Sequence, residues 1–106
     1  MRGDLVTVVL AGAYGKPRPA LVVQSDGFAH LASTTVLPLT TALMDSPLLR
    51  ISVEPTAANG LRQLSQVMLD KATTVRNDKV GSTFGNLDAD TMVRINRAIA
   101  LFFGLG

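Results

Sequence analysis

Arg18 lies between two prolines in the run Gly15-Lys16-Pro17-Arg18-Pro19-Ala20-Leu21-Val22-Val23-Gln24, where a loop with two positive charges feeds an apolar segment that reads as a buried strand. Each proline locks its own φ and pushes the residue before it towards extended geometry, so Lys16 and Arg18 have little backbone freedom to lose on meeting an anion. The chemistry open to such an arginine is anion binding, because a planar guanidinium presents several N–H donors to phosphate or carboxylate oxygens. The same residues also read as a turn ended by two prolines, with an arginine that pairs with a carboxylate of the protein. Other chemistry-bearing side chains are sparse. Thr40 and Thr41 place hydroxyls at the end of a β-like run, where threonine is also common for steric reasons. Asp70-Lys71 sets a charged pair inside another such run, where a strand bends or presents a site. Tyr14 offers a flat face on which a base stacks or which simply packs on the surface. His30 is of the type that serves as a general base, yet it sits in a loop that equally suits a solvated histidine.

Composition narrows the field. At 106 residues the chain is one domain, spanning 1–106, with room for a single core. The absence of cysteine excludes thiol catalysis, disulfides and thiolate metal sites, and one histidine cannot build a zinc site. The acids are scattered, apart from Asp88 and Asp90 at a helix start, so neither a metal nor another cofactor is expected. A net charge of +2 and a pI near 9.5 permit a phosphate-rich partner without requiring one. No apolar run approaches the ~20 residues of a membrane span, and residues 1–4 lead into a strand pattern rather than a signal peptide, so a cytoplasmic protein is expected. A hydrophobic fraction of 47% and a mean hydropathy of +0.32 exceed the needs of a solvated monomer and point to a homo-oligomer.

The elements that must hold these residues are mostly strands. Residues 5–10 are β-branched and apolar, as in a strand buried on both faces; 19–24 form a second strand and 33–41 a third, in which Pro38 marks an edge, a bulge or an interrupted ladder. Residues 41–47 read as a loop or a short helical turn. Residues 49–54 alternate with apolar side chains at the odd positions, which predicts a half-exposed strand with Arg50 outward. Residues 65–75 predict a strand interrupted at Asp70-Lys71, and 80–84 a last short strand before a break at Gly85-Asn86. Asp88 then caps a helix, with Leu87 and Met92 as its hydrophobic staple. Met92, Ile95, Ile99 and Phe102 form its packing stripe, Arg94 and Arg97 face out, and Gly104 ends it.

Taken together, Arg2-Gly3-Asp4, the arginine–proline strand entry, Val36-Leu37-Pro38-Leu39-Thr40-Thr41 and Val67-Met68-Leu69-Asp70-Lys71 resemble, in order and over nearly the whole chain, the MazF/PemK (Kid) family of toxins from type II toxin–antitoxin modules. The resemblance implies a mainly β fold, an SH3-like small β-barrel with a C-terminal helix, and a homodimer. It implies an endoribonuclease that cleaves single-stranded RNA at specific sequences without a metal, leaving 2′,3′-cyclic phosphate and 5′-hydroxyl ends. It implies a partner as well: a cognate antitoxin whose acidic, disordered C-terminal segment lands in the RNA groove. Arg18 and Thr40 match the catalytic arginine and hydroxyl, which would clamp one phosphate from neighbouring strand ends. Asp70 takes a catalytic or RNA-binding place, and Lys16, Pro17, Thr41 and Lys71 flank the RNA. Two departures stand out. The first loop has Ala13 and Tyr14 where some members carry a histidine, and Met68 stands where some carry an arginine. A carboxylate with an ordinary pKa of about 4 is a weak base at neutral pH, so the resemblance leaves the base open. The alternative from another class is a non-catalytic poison of DNA gyrase like CcdB, similar in fold; the Arg18–Thr40 pair separates the two, and the apolar residues 101–106 read as buried packing rather than a contact surface. An SH3-like module without activity is the third reading.

Overall fold

Residues 1–12 and 14–105 are described by a computed structural model; Ala13 and Gly106 lie outside the described residues. Seven strands and one helix follow in the order β1 (Asp4–Val9), β2 (Pro17–Val22), β3 (Ser33–Thr40), β4 (Arg50–Val53), β5 (Ser65–Met68), β6 (Thr73–Arg76), β7 (Val80–Asn86) and α1 (Ala89–Phe102). All pairings are antiparallel, in the spatial order β4-β5-β3-β2-β1-β7 with β6 also on β3. The path is open at β4 and β7, and it curls enough to bury both of its faces, which makes it barrel-like.

Alternation along the strands explains the two cores. Leu5, Leu21, Leu37 and Leu39 point to one side, where they join Ile51, Val53, Val67, Leu69, Leu87, Ile95 and Ala98 under helix α1. Val6, Val8, Ala20, Val22, Val36 and Val75 point to the other, where the curled sheet closes over them. An apolar run without alternation is thus what β1 requires, as its composition predicts.

Pro38 is buried in the central strand rather than at an edge. It pairs with Ala20 on one side, and on the other it falls in the gap between the β6 pairing, which ends at Val36, and the β5 pairing, which begins at Leu39. A residue without an N–H fits where the ladder changes partners. The segment predicted as one interrupted strand is two, β5 and β6, separated by a 3-10 turn over Leu69–Lys71. Both halves pair with β3, so the turn is a bend in one path along the same neighbour.

Three expectations are corrected. Gly85-Asn86 does not break the chain: Gly85 pairs with Leu5 and Asn86 with Asp4. A Cβ at Gly85 would lie 2.3 Å from the Asn59 carbonyl oxygen, so the glycine serves close backbone approach, not a turn. Arg50, expected in solvent from the alternation of 49–54, is buried, because Asp70 on the turn after β5 and the 41–47 loop close around it. The end of the chain is not buried packing. Leu101, Phe102, Phe103 and Leu105 are all exposed, the two phenylalanine rings meeting edge to face at 5.4 Å, because the helix runs past the sheet after Ile99. Phe102 therefore drops out of the packing stripe, while Ile95 and Ala98 anchor it and Arg94 and Arg97 face out. Asp88 caps the helix as predicted: its carboxylate accepts from the hydroxyl of Thr91 at 2.6 Å and from its backbone N–H at 3.1 Å, which holds the Asp88 carboxyl below its ordinary range. No helix among the described residues is long and apolar enough to cross a membrane.

Candidate active site

The Arg18–Thr40 arrangement follows from strand register. β2 and β3 pair Val22 with Val36, Leu21 with Leu37 and Ala20 with Pro38. The ladder ends there, and Arg18 and Thr40 each lie two residues beyond that same end, on the strand alternation of Ala20 and Pro38. Thr40 in turn pairs with Gln66 of β5, and Gln66 with Ser52 of β4. Thr40, Gln66 and Ser52 thus form one row across three strands, with neighbours about 5 Å apart, and Arg18 lies past the end of the β2–β3 ladder at the Thr40 end of that row.

Each of these residues is held. Pro17 and Pro19 flank Arg18 within β2, where Val8 of β1 is its partner, and the side chain is exposed. Thr40 is half-buried, and its Oγ1 accepts from the Ala42 backbone N–H at 3.0 Å. That bond uses one lone pair and leaves the hydroxyl proton free to donate. Gln66 is buried; its Oε1 accepts from Met44 N at 2.9 Å and its Nε2 donates to Met44 O at 3.1 Å and Ser52 Oγ at 3.3 Å. It fastens the loop that follows Thr40. An exposed guanidinium beside a preset hydroxyl donor is an oxyanion arrangement, suited to a phosphate whose charge grows during reaction.

The other sequence-predicted residues surround this pair at different depths. Lys16 and Pro17 are exposed at the entry to β2, and Thr41 is exposed just past Thr40. Lys71, exposed on the 3-10 turn, lines an open pocket of about 360 Å³ whose walls are mainly apolar, among them Pro38 and Met68 of the row next to Arg18 and Thr40. A flat base of a strand held at the clamp would meet that floor, with Lys71 at its rim. Tyr14 is fully exposed with φ 54°, at the tip of the β1–β2 loop, and His30 is exposed in the β2–β3 connection; neither joins the row.

Asp70 stands apart from the row, beyond Met68, and its carboxylate is taken by Arg50 Nη1 in an ion pair whose side chains are 25% and 8% exposed respectively. Arg50 sits directly across from Met68 in the β4–β5 register. Leu69, fully buried, pins the turn from below, and its N–H donates to Leu49 O at 2.9 Å. Sequence reading missed the burial of Arg50 and its ion pair with Asp70, since strict alternation assigned Arg50 to solvent; Gln66 and Ser52 carried no signal at all. Among the described residues no group of three or more His, Cys, Asp or Glu is placed to hold a metal ion.

The Arg2-Gly3-Asp4 motif proves to be scaffolding. Arg2 Nε donates to Val23 O at 2.8 Å, and Gly3 N donates to Val22 O at 2.8 Å, which ties the chain start to the end of β2.

Comparison with known proteins gives the family and the fold. The family profile described as "PemK-like, MazF-like toxin of type II toxin–antitoxin system" matches residues 1–103. A protein of Mycolicibacterium smegmatis named "Probable endoribonuclease MazF" is 49% identical over 105 residues, covering 98% of this chain and 96% of its own. Among solved structures, the Mycobacterium tuberculosis toxin MazF-mt6 superposes with a TM-score of 0.83 at 29% identity, covering 97% of this chain and 98% of that one. An endoribonuclease from a mycobacterial species in complex with its cognate antitoxin superposes at 0.84, with 26% identity, over 100% of this chain and 96% of that one.

Proposed function

The chain belongs to the family of PemK-like, MazF-like toxins of type II toxin–antitoxin systems, and from this we propose that it is the ribonuclease toxin of such a module, acting in the cytoplasm as a homodimer on single-stranded RNA. The observation that supports the catalytic part is that Arg18 and Thr40 lie just beyond the same end of the β2–β3 ladder, at neighbouring strand ends. The substrate's 2′-oxygen attacks the adjacent phosphorus, forming a cyclic P–O2′ bond as the P–O5′ bond breaks; the 2′-hydroxyl proton is lost and one is gained by the leaving 5′-oxygen. Arg18 faces the negative charge that builds on the phosphoryl oxygens, and Thr40 donates its hydroxyl proton to one of them. A guanidinium keeps its proton under ordinary conditions, so Arg18 serves chiefly as a fixed charge. Lys16, Lys71, Pro17 and Thr41 hold the strand on either side. Asp70, engaged by Arg50, orders the turn that carries Lys71.

An acidic antitoxin tail is the natural inhibitor of this face, because Lys16, Arg18 and Lys71 are exposed and make no ion pair among the described residues. The antitoxin complex of the mycobacterial relative supports that partner. The homodimer is supported by the apolar surface left uncovered at the end of α1. That same exposed end is what a gyrase poison would use, and the nuclease reading is preferred because the 49% identical relative carries the name of an endoribonuclease.

The deciding experiment is incubation of the purified protein with defined RNA in EDTA, followed by mapping of the ends. Chelator-resistant cleavage with cyclic phosphate at the 3′ end is expected. Loss of cleavage in EDTA that magnesium restores would overturn it.

A further inference from the structure

On the side of Gln66 away from Thr40, a second pocket of about 200 Å³ opens between the 41–47 loop, β4 and helix α1. Its walls carry the Asp45 carboxylate, the Arg94 guanidinium and the Ser52 hydroxyl. Neither Asp45 nor Arg94 makes an ion pair or a side-chain hydrogen bond among the described residues, although they line the same space. Ser52 Oγ accepts from Gln66, so its proton is free to donate. The wall they sit on is built rather than loose. Buried Gln66 grips both backbone polar groups of Met44, and Ser46 O accepts from Leu49 N and Arg50 N, each at 2.9 Å.

A pocket with donors and a carboxylate acceptor matches the edge of a nucleobase, which carries both kinds of group; cations without Asp45 would match a phosphate instead. Position narrows the choice further. Ser52 is two strands from Thr40 in the row, about 10 Å, so a strand whose phosphate lies at Arg18 and Thr40 reaches this pocket within about two nucleotides. Unstacked single-stranded RNA presents its base edges freely, which is how proteins read its sequence.

We propose that this pocket reads one base of the substrate beside the cut, with Asp45 and Arg94 as the specificity-determining pair and Ser52 as a third contact. The inference rests on the ribonuclease reading above and adds to it the place where sequence is recognised. The test uses a randomised RNA pool and sequencing of the cleaved ends for the wild-type protein, Asp45→Asn and Arg94→Gln. Cleavage persists in both variants, while the preference at a single position within about two nucleotides of the cut broadens, and kcat/KM on the best wild-type site falls roughly ten- to a hundred-fold. Preference at the other positions stays as in the wild type.

A parallel arm selects oligonucleotides bound by Thr40→Ala protein with and without Arg94→Gln, which reads base preference without cleavage. A wild-type protein that cuts no RNA would therefore sink the ribonuclease reading alone, while loss of the bound-base preference would still uphold the pocket. Folded variants with unchanged sequence preference in both arms overturn the proposal. So does weakened binding of an acidic antitoxin peptide with RNA preference intact, which reassigns the pocket to the protein partner.

Discussion

Arg18 is useful to the proposed reaction because of its shape as well as its charge. Its backbone is stiffened by a proline on each side, and its planar fork presents parallel donors that a lysine ammonium lacks. Arg18→Lys is therefore expected to lower kcat/KM on a short RNA by about a hundred-fold or more, the scale of losing one oxyanion donor, with the circular dichroism spectrum unchanged. Near wild-type cleavage by the folded variant would remove Arg18 from the site. The Arg50–Asp70 pair poses a different question. Arg50 is almost wholly buried and its Nε has no partner among the described residues, so Asp70 is its main compensation. Asp70→Asn would leave a buried charge unneutralised, at a cost of about 3 kcal/mol, the low end for such pairs because Asp70 is partly exposed. Urea denaturation measures it; a change near zero would show that the pair holds nothing together.

The elements behave as frames whose close contacts have no slack. β7 runs through Gly85 against the backbone of residues 58 and 59, and a methyl group there would meet three main-chain atoms within 2.8 Å. Gly85→Ala should therefore destabilise by about 1–3 kcal/mol, the range for overpacking, by forcing β7 away from residues 58 and 59 rather than through turn geometry. A stable Gly85→Ala protein with unshifted thermal midpoint would contradict the close approach. Helix α1 depends on its cap in a pH-dependent way. The hydroxyl and backbone hydrogen bonds from Thr91 lower the Asp88 pKa in the folded state from its ordinary 3.8, so the ionised cap contributes its full stability above that value and loses it as pH falls through the lower folded one. The gap in melting temperature between wild type and Asp88→Ala should be constant near neutrality and close below about pH 3.8. A gap that persists unchanged to lower pH would show that the charge of Asp88 does not matter to the cap.

At the scale of the whole molecule, two surfaces stand open. One carries the exposed cations Lys16, Arg18 and Lys71 around the Arg18–Thr40 pair; the other is the apolar end of α1. Phosphate and an acidic peptide answer to the same cations, so RNA and antitoxin are expected to compete. A Thr40→Ala protein titrated with labelled RNA should release it on addition of the cognate antitoxin peptide, and both affinities should weaken as salt rises. Saturating peptide that leaves RNA affinity unchanged would place the two sites apart. The apolar end of α1 predicts sedimentation as a dimer at micromolar concentration, and a stable monomer there would refute the dimer.

Sequence by itself determined the strands, the capped helix and the family, because each rests on local physics or on ordered motifs: β-branched runs make strands, Asp88 makes a cap, and Pro17 and Pro19 set the geometry of Arg18 wherever the rest of the chain goes. It also marked Asp70-Lys71 as a bend. Tertiary structure decided everything that depends on which strands are neighbours. Alternation sends Arg50 to one face of β4 but cannot say that Asp70 and the 41–47 loop close around it, so its burial and its bond to Asp70 were invisible. Gly85 looked like a break because the backbone it must approach is about 26 residues away in the chain. The row from Thr40 through Gln66 to Ser52 likewise gathers residues from three strands, and register between strands is a property of the folded sheet, which no single segment encodes.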